Sequence, residues 1–455
     1  MPSPTRELAE FVAGLRFEHL PDAVVRQACD VVLDTLGCCV SAWDQDPDKA
    51  RIACGLAQRF GSRGAATVVG AGGVTADPAL AALANGILAN AADADDTHKR
   101  ALLHTGSVVV STALALAEAR GLSGPALLTA LVAGYEVAVR VGMAVMPTHY
   151  RFWHSTATNG TFGGAAAAAA ALGLDADGAQ RALGHAGTQA AGLNTFFESG
   201  DFTKSLHPGK AAFNGILSAY LAEQGATSPP TMLEHPKGYL HAYSLEPRPE
   251  ALTAGLGRTW EILQNGFKYF PSILASHAPV QATLAIVGRH RMKPEEIAGI
   301  TNETYSTVKT HFSNKLVDSV MGARVSVPYC IAVAAVDGAL GQAQFAPSRI
   351  RDRVVQDVLA RTDVVADPEL TALYPDKFPA RVTITLTDGR KLQETRHFPK
   401  GDPHDPLTPA EIEDKFVQNL AFRFSEAEAR GLAALIRDLP QAKDVHAVIR
   451  PFARS

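Results

Sequence analysis

The stretch ALLTALVAGYEVAVRVGMAVM, residues 126–146, decides what kind of fold this chain has. It is apolar and long enough to cross a bilayer, for which about 20 residues are needed. Yet Glu136 and Arg140 stand near its middle, at a spacing that puts them on one helical face. Such a pair is tolerated on a helix of a water-soluble protein and is costly in lipid. A Ser123-Gly-Pro start supplies a helix cap and a first-turn proline. A second apolar run, FGGAAAAAAALGL at 162–174, is nearly all alanine and too short to span. Both read as helices packed tightly into a large helical core, and no membrane span is expected.

Working outward, apolar residues recur at helical spacing over 22–42, 77–92, 108–119, 161–172, 177–191 and 208–224, with Gly, Pro or Asp between the runs. Many of these runs place Ala and Gly on the side to be buried, which lets helix axes approach closely. A Pro-rich passage from Pro229 to Pro249 follows. Past Gly266 the character changes. Residues 297–307 alternate like a strand, and 381–387 with 391–397 flank Asp388-Gly389, a strong hairpin signal. Helical runs at 278–290 and 327–341 lie between them, and a linker at 399–409 leads to amphipathic helices. The expectation is a mainly α fold: a helical domain, 1–265, to which 401–455 returns, and a smaller α+β domain, 266–400.

Composition narrows the function. A hydrophobic share of 47% with 19% charged residues is that of an ordinary globular protein. The net charge of −4 offers no basic footprint for nucleic acid. Cys29, Cys38, Cys39, Cys54 and Cys330 are sparse, odd in number and set in apolar runs, so reduced core thiols are expected. Their spacing is not that of a zinc or iron–sulfur site. The first residues lack a signal-peptide pattern, and a cytoplasmic protein is expected. No dinucleotide fingerprint or phosphate loop is present, and Gly70-Ala-Gly-Gly is only a weak Gly-rich turn.

The chemistry is concentrated in a few stretches. Asp93, Asp95, Asp96, Thr97, His98 and His104 crowd the end of an Ala/Leu-rich helical run. Continued as a helix, that run would stack Asp93 on Thr97 with Asp96 beside them. Carboxylates and imidazoles placed against apolar helices are costly and need a reason. His149, Arg151 and His154 follow the 124–146 helix. Lys204, His207 and Lys210 surround Pro208, which fits a first-turn position where backbone N–H groups favour an anion. Lys268 lies in Gly-Phe-Lys-Tyr-Phe-Pro, with His277 shortly after, and Tyr329 in Val-Ser-Val-Pro-Tyr. Singly each has an ordinary structural reading; together they would make a cationic pocket with one acidic corner. That suits a small polycarboxylate, whose charge must be neutralised before an adjacent carbon gives up a proton. The acidic cluster could instead hold Mg²⁺, but the basic neighbours argue against it.

In order along the chain, Asp93-Ala-Asp-Asp-Thr97 with His104-Thr-Gly-Ser, His154-Ser-Thr with Phe162-Gly163, Lys204 through His207-Pro-Gly-Lys-Ala-Ala, Lys268-Tyr-Phe-Pro with His277, and Arg324-Val-Ser-Val-Pro-Tyr329 resemble the MmgE/PrpD family. That family includes 2-methylcitrate dehydratases, cis-aconitate decarboxylases and iminodisuccinate epimerase. The resemblance implies a large helical domain and an α+β lid with the site in the cleft between them, no cofactor, and a homodimer. Asp93, Thr97, His104, His154, Lys204 and Lys268 match the residues lining the family's pocket, with Tyr329 and His277 as further matches. His207 and Arg151 are added from local chemistry. Two departures stand out: His104 is followed by Thr105 where many relatives have Pro, and Ile273 stands where relatives often have Cys or His. A His there belongs to the decarboxylase branch, so its absence weakens a decarboxylase reading.

The leading expectation is a cofactor-independent lyase of the dehydratase type acting on a small hydroxy-polycarboxylate such as 2-methylcitrate. Lys268 or His104 would take the proton, His154 or Tyr329 would protonate the departing hydroxyl, Asp93 would orient a histidine and Lys204 would clamp a carboxylate. The alternative is an isomerase or epimerase of a small dicarboxylate such as iminodisuccinate. A class II terpene cyclase shares an Asp-x-Asp-Asp-Thr motif but shields cations with aromatic walls, and aromatics are 7% of residues here. A non-catalytic helical scaffold would be indifferent to loss of Lys268 or His104.

Overall fold

The computed structural model describes residues 3–60, 64–199 and 201–454, with the side chains at 198 and 199 left aside. The chain is mainly helical and divides into two compact units, Met1–Thr195 with Phe202–Gly266 and Thr408–Ser455, and Phe196–Asp201 with Phe267–Leu407.

In the first unit the long helices are α1 (Pro4–Gly14), α2 (Asp22–Gln45), α3 (Pro47–Arg59), α4 (Pro78–Ala91), α5 (Thr105–Arg120), α6 (Gly124–Val145), α7 (Ser155–Ala171), α8 (Ala176–Gly187) and α9 (Thr203–Glu223). Local chemistry sets their starts. The side chains of Asp77, Ser123 and Asp175 accept from Ala79, Ala126 and Gly178 N–H groups, and the first two are followed by a first-turn proline. Small residues set the spacing. A Cβ on Gly86 of α4 would lie 2.7 Å from the Gly209 Cα of α9, and one on Gly215 of α9 would lie 2.4 Å from the Gly164 carbonyl carbon of α7. The helix backbones touch there, and a methyl group has no room.

Helix α6 is the apolar run whose reading decided the fold. By length and composition it qualifies as a membrane span, but 94% of its apolar window is buried inside the protein. Glu136 and Arg140 are themselves fully buried rather than on a wet face. Arg140 Nε lies 3.2 Å from Glu136 Oε2, while its Nη1 and Nη2 donate to the Ala254 and Thr259 carbonyls at 2.6 and 3.0 Å. Glu136 Oε1 accepts the Ile262 N–H. Burial raises the Glu136 carboxyl to about 7 despite the arginine. The pair therefore ties the 249–265 segment to the core.

In the second unit, α10 (His277–His290) and α11 (Val327–Asp337) accompany a mixed sheet of β1 (Ile297–Thr304), β2 (Thr362–Ala366), β3 (Ala380–Leu386) and β4 (Lys391–Arg396). Strand order is β2-β1-β3-β4, with β2 parallel to β1 and the other neighbours antiparallel. The expected hairpin is β3–β4, with Thr385 opposite Lys391 and Gly389 at φ +87° in the turn. Strand β2 carries no clear alternation in the sequence and was not anticipated; it is reached through helix α12 (Arg353–Ala360), as a parallel crossover requires. The chain then returns to the first unit as α13 (Pro409–Leu420) and α14 (Glu426–Arg437), opened by capping boxes at Thr408/Glu411 and Ser425/Glu428. All five cysteines are free thiols, four of them buried.

Candidate active site

The acidic stretch does not continue α4. That helix ends at Ala91, and Asp93 adopts φ +54°, a left-handed backbone that few side chains other than Asn and Asp accept. The i, i+4 stacking of Asp93 on Thr97 expected from a continuing helix is therefore absent. Residues 92–104 form a buried loop whose side chains reach in different directions. Asn90 Nδ2 donates to both Asp95 oxygens at 3.0 and 2.8 Å. Asp96 accepts the Gly106 N–H at 2.9 Å and the Tyr135 hydroxyl at 2.6 Å. Burial lifts the Asp96 carboxyl to about 7, against the pull of Tyr135. Thr97 exchanges both backbone hydrogen bonds with Gly266, at 2.8 and 2.9 Å. His98 closes a tight turn with Leu103 and lies 3.5 Å from Glu261, so its part is structural.

Three helix starts bring the basic groups together. His104 immediately precedes α5, His154 immediately precedes α7, and Lys204 and His207 lie in the first two turns of α9. Helix α9 begins before Pro208, not at it as the sequence suggested; the proline lies inside the helix and adds no N–H. The Lys204 Nζ meets Asp93 Oδ1 at 2.6 Å, both side chains being almost fully buried. His104 Nδ1 lies 2.9 Å from the Asp96 carbonyl oxygen, 3.1 Å from Thr97 Oγ1 and 3.6 Å from Asp95 Oδ1. A carbonyl can only accept, so Nδ1 carries the proton and the lone pair of neutral His104 is on Nε2. The His154 and His207 Nδ1 atoms are 2.9 Å apart, so one imidazole donates to the other. The ring of His154 also lies 6.4 Å from that of His104. Burial, and then the neighbouring His207, His104 and Lys204, hold His154 well below its ordinary value. It is neutral at physiological pH.

Asp93, Thr97, His104, His154, Lys204 and His207 are thus assembled within the first unit. Arg151 does not join them: it is exposed, with its guanidinium 5.1 Å over the Phe152 ring. His149 is buried between the Tyr243 carbonyl and Thr158, and burial lowers it to about 4, which marks it as a core imidazole. Lys210 donates to the Ala191 carbonyl. In the second unit, Lys268 is 2% exposed, and His277 is fully buried at the start of α10 with Phe270 edge-on to its ring. Tyr329 corrects an expectation. Its hydroxyl donates to the Gln344 carbonyl at 2.5 Å and burial raises it, so the phenol proton is committed to the backbone of its own unit. It reads as a packing residue rather than an acid. Tyr135 and Asn90 are not among the expected site residues; they carry no motif and matter only through what the fold puts opposite them.

Asp93, Asp95 and His104 offer ligand atoms within 4.8 Å of one another, a donor set of a kind that can hold a metal ion. The Lys204 ammonium already sits on Asp93, so one of the three donors is taken by a cation. The cluster offers a buried ammonium–carboxylate pair beside an imidazole base and a paired imidazole, groups that can meet a substrate carboxylate while a proton moves.

Known proteins are similar to this chain over nearly its whole length. The MmgE/PrpD N-terminal domain matches residues 6–252 and the MmgE/PrpD C-terminal domain matches residues 270–441. The cis-aconitate decarboxylase of Mus musculus is 27% identical over 98% of this chain and 93% of its own length. That of Aspergillus terreus is 26% identical over 97% of this chain and 94% of its own. An alkylcitrate dehydratase of a fungal species is 21% identical over 57% of this chain and 54% of its own.

Proposed function

The chain belongs to the MmgE/PrpD family, and on that premise we propose that it is a cofactor-independent lyase of the dehydratase type acting on a small hydroxy-polycarboxylate, 2-methylcitrate being one candidate. The matched relatives are decarboxylases and a dehydratase, which supports lyase chemistry on a polycarboxylate. The observation that carries the reading is the buried Lys204–Asp93 pair beside three imidazoles at helix starts.

In this reading Lys204, held by Asp93, faces a substrate carboxylate and makes the adjacent carbon acidic. His104, with Nδ1 pinned at the Asp96 carbonyl, takes the proton at Nε2. His154, neutral and sharing its Nδ1 bond with His207, hydrogen-bonds the departing hydroxyl, which leaves as water with the proton that His104 has taken. Lys268 is the second candidate for base, from the family resemblance alone. The working form is read as a homodimer, which light scattering on the purified protein tests. A second reading, decarboxylation, is favoured by the names of the relatives; Ile273 weighs against it.

The test is proton NMR in D₂O with 2-methylcitrate, citrate, cis-aconitate and iminodisuccinate, using His104→Ala and Lys268→Ala as controls and a chelator-treated sample. Loss of a hydroxy acid with a new vinyl signal, abolished in a control and unaffected by chelator, is the expected result. Loss of a carboxylate from cis-aconitate would make it a decarboxylase. Deuterium uptake without elimination would make it an epimerase. Turnover restored to a chelated sample only by Mg²⁺ or Zn²⁺, or no change in any acid, would sink the proposal.

A further inference from the structure

One buried ion pair outside the reacting cluster touches the acidic loop from behind. Lys415 of α13 places Nζ 2.5 Å from Asp34 Oδ1 of α2 and 2.7 Å from the Ala94 carbonyl oxygen. Ala94 stands between Asp93, which holds Lys204, and Asp95, which lies 3.6 Å from His104 Nδ1. The Asp34 side chain is 1% exposed and that of Lys415 is 14% exposed. A pair this deep is a poor source of stability, because desolvation offsets most of the attraction. Its placement matters more. Asp93 has φ +54°, a conformation that persists only where surrounding contacts impose it. Two lysines supply such contacts on the loop and its approach: Lys49 donates to the Ala91 carbonyl at 3.1 Å and Lys415 to that of Ala94.

We propose that Lys415 is a positioning residue: its bond to the Ala94 carbonyl fixes the loop backbone that aims Lys204 through Asp93 and His104 through Asp96. Lys415 acts through the loop, from a helix more than three hundred residues later in the chain. The effect on rate rests on the reading of the cluster as the reacting site; the effect on His104 geometry does not.

Three variants test it: Lys415→Met, Lys415→Arg and the double variant Lys415→Met/Asp34→Asn. The double variant also removes the carboxylate that Lys415 neutralises, so it folds where the single one fails. The measurements are melting temperature, kcat and KM on the acid the D₂O panel identifies, and the His104 tautomer by ¹⁵N-histidine NMR, assigned with His104→Asn. The double variant is expected to melt close to wild type, to lose kcat by at least about tenfold with KM changed less than about threefold, and to mix the His104 tautomers. Lys415→Arg is expected to restore the single Nδ1–H tautomer and most of kcat. A double variant with wild-type kcat and an unmixed tautomer would overturn the proposal. Should the wild type turn over none of the acids, the functional reading fails by itself. The tautomer comparison then decides the positioning role alone, an unchanged His104 overturning it.

Discussion

Gly106→Ala adds one methyl group at the point where the loop meets α5. The new Cβ would lie 2.5 Å from Asp96 Oδ1, 2.7 Å from Thr35 Oγ1 and 3.0 Å from the Tyr135 hydroxyl, where ordinary contact begins at 3.4 Å. Asp96 must therefore retreat by about 1 Å, since neither the helix backbone nor Tyr135 on α6 can move independently. That retreat stretches the 2.9 Å bond from the Gly106 N–H and drags the Asp96 carbonyl that holds His104 Nδ1. Overpacking of this kind costs about 1–3 kcal/mol. A misplacement of about 1 Å at a reacting group costs up to ~100-fold in rate. Thermal melts and kcat from the D₂O assay measure both, with Gly431→Ala as the control. Nothing lies within 4 Å of a Cβ at Gly431 in α14, and that change should be neutral or stabilising by up to about 1 kcal/mol. Gly106→Ala with wild-type melting and wild-type kcat would refute the claim that His104 is aimed through Asp96.

Lys204→Met leaves Asp93 buried without its cation and should destabilise the protein by about 3–5 kcal/mol and abolish turnover; adding Asp93→Asn should recover most of the stability and none of the activity, as read by denaturant melts. His149 is held neutral by burial, with its value lowered to about 4. The unfolded chain binds that proton first, so the stability from neutral His149 is complete above pH ~6.5 and is lost as pH falls towards about 4, by about 3 kcal/mol in all. His149→Gln should flatten that acid limb in a pH series of melts, and an unaltered limb would remove His149 as its source. Tyr329→Phe should cost about 1 kcal/mol, from the lost bond to the Gln344 carbonyl, and keep kcat near wild type. A lost kcat at unchanged melting temperature would return Tyr329 to the reaction.

What the sequence revealed follows from which interactions are local. Helical periodicity and caps such as Asp77 and Ser123 are written within a few residues, and so is the Asp388-Gly389 turn, so these elements were legible. Strand β2 was not, because its pairing with β1 is a contact between segments some sixty residues apart that leaves no alternation in 362–366. The site residues were legible as types: His104, His154 and Lys204 stand at helix starts that punctuation marks. Their partners were not. Asp93 leaves the helical track through a left-handed residue, and the groups that orient Asp96 and Ala94 come from α6 and α13. Arg151 and Tyr329 misled for the same reason, since a motif gives residue identity and not the direction a side chain faces.

The glycine contacts in the first unit bear on how such a protein can acquire new chemistry. Gly86 against Gly209, and Gly164 against Gly215, leave no space for a methyl group, so single substitutions cannot move these helices apart. Such a frame leaves the helix starts and the 92–104 loop as the places where side chains can be exchanged while the bundle stays as it is. A mutant library confined to those positions should therefore hold many folded members with altered substrate preference. One spread over α4, α7 and α9 should lose most of its members before any activity can be selected.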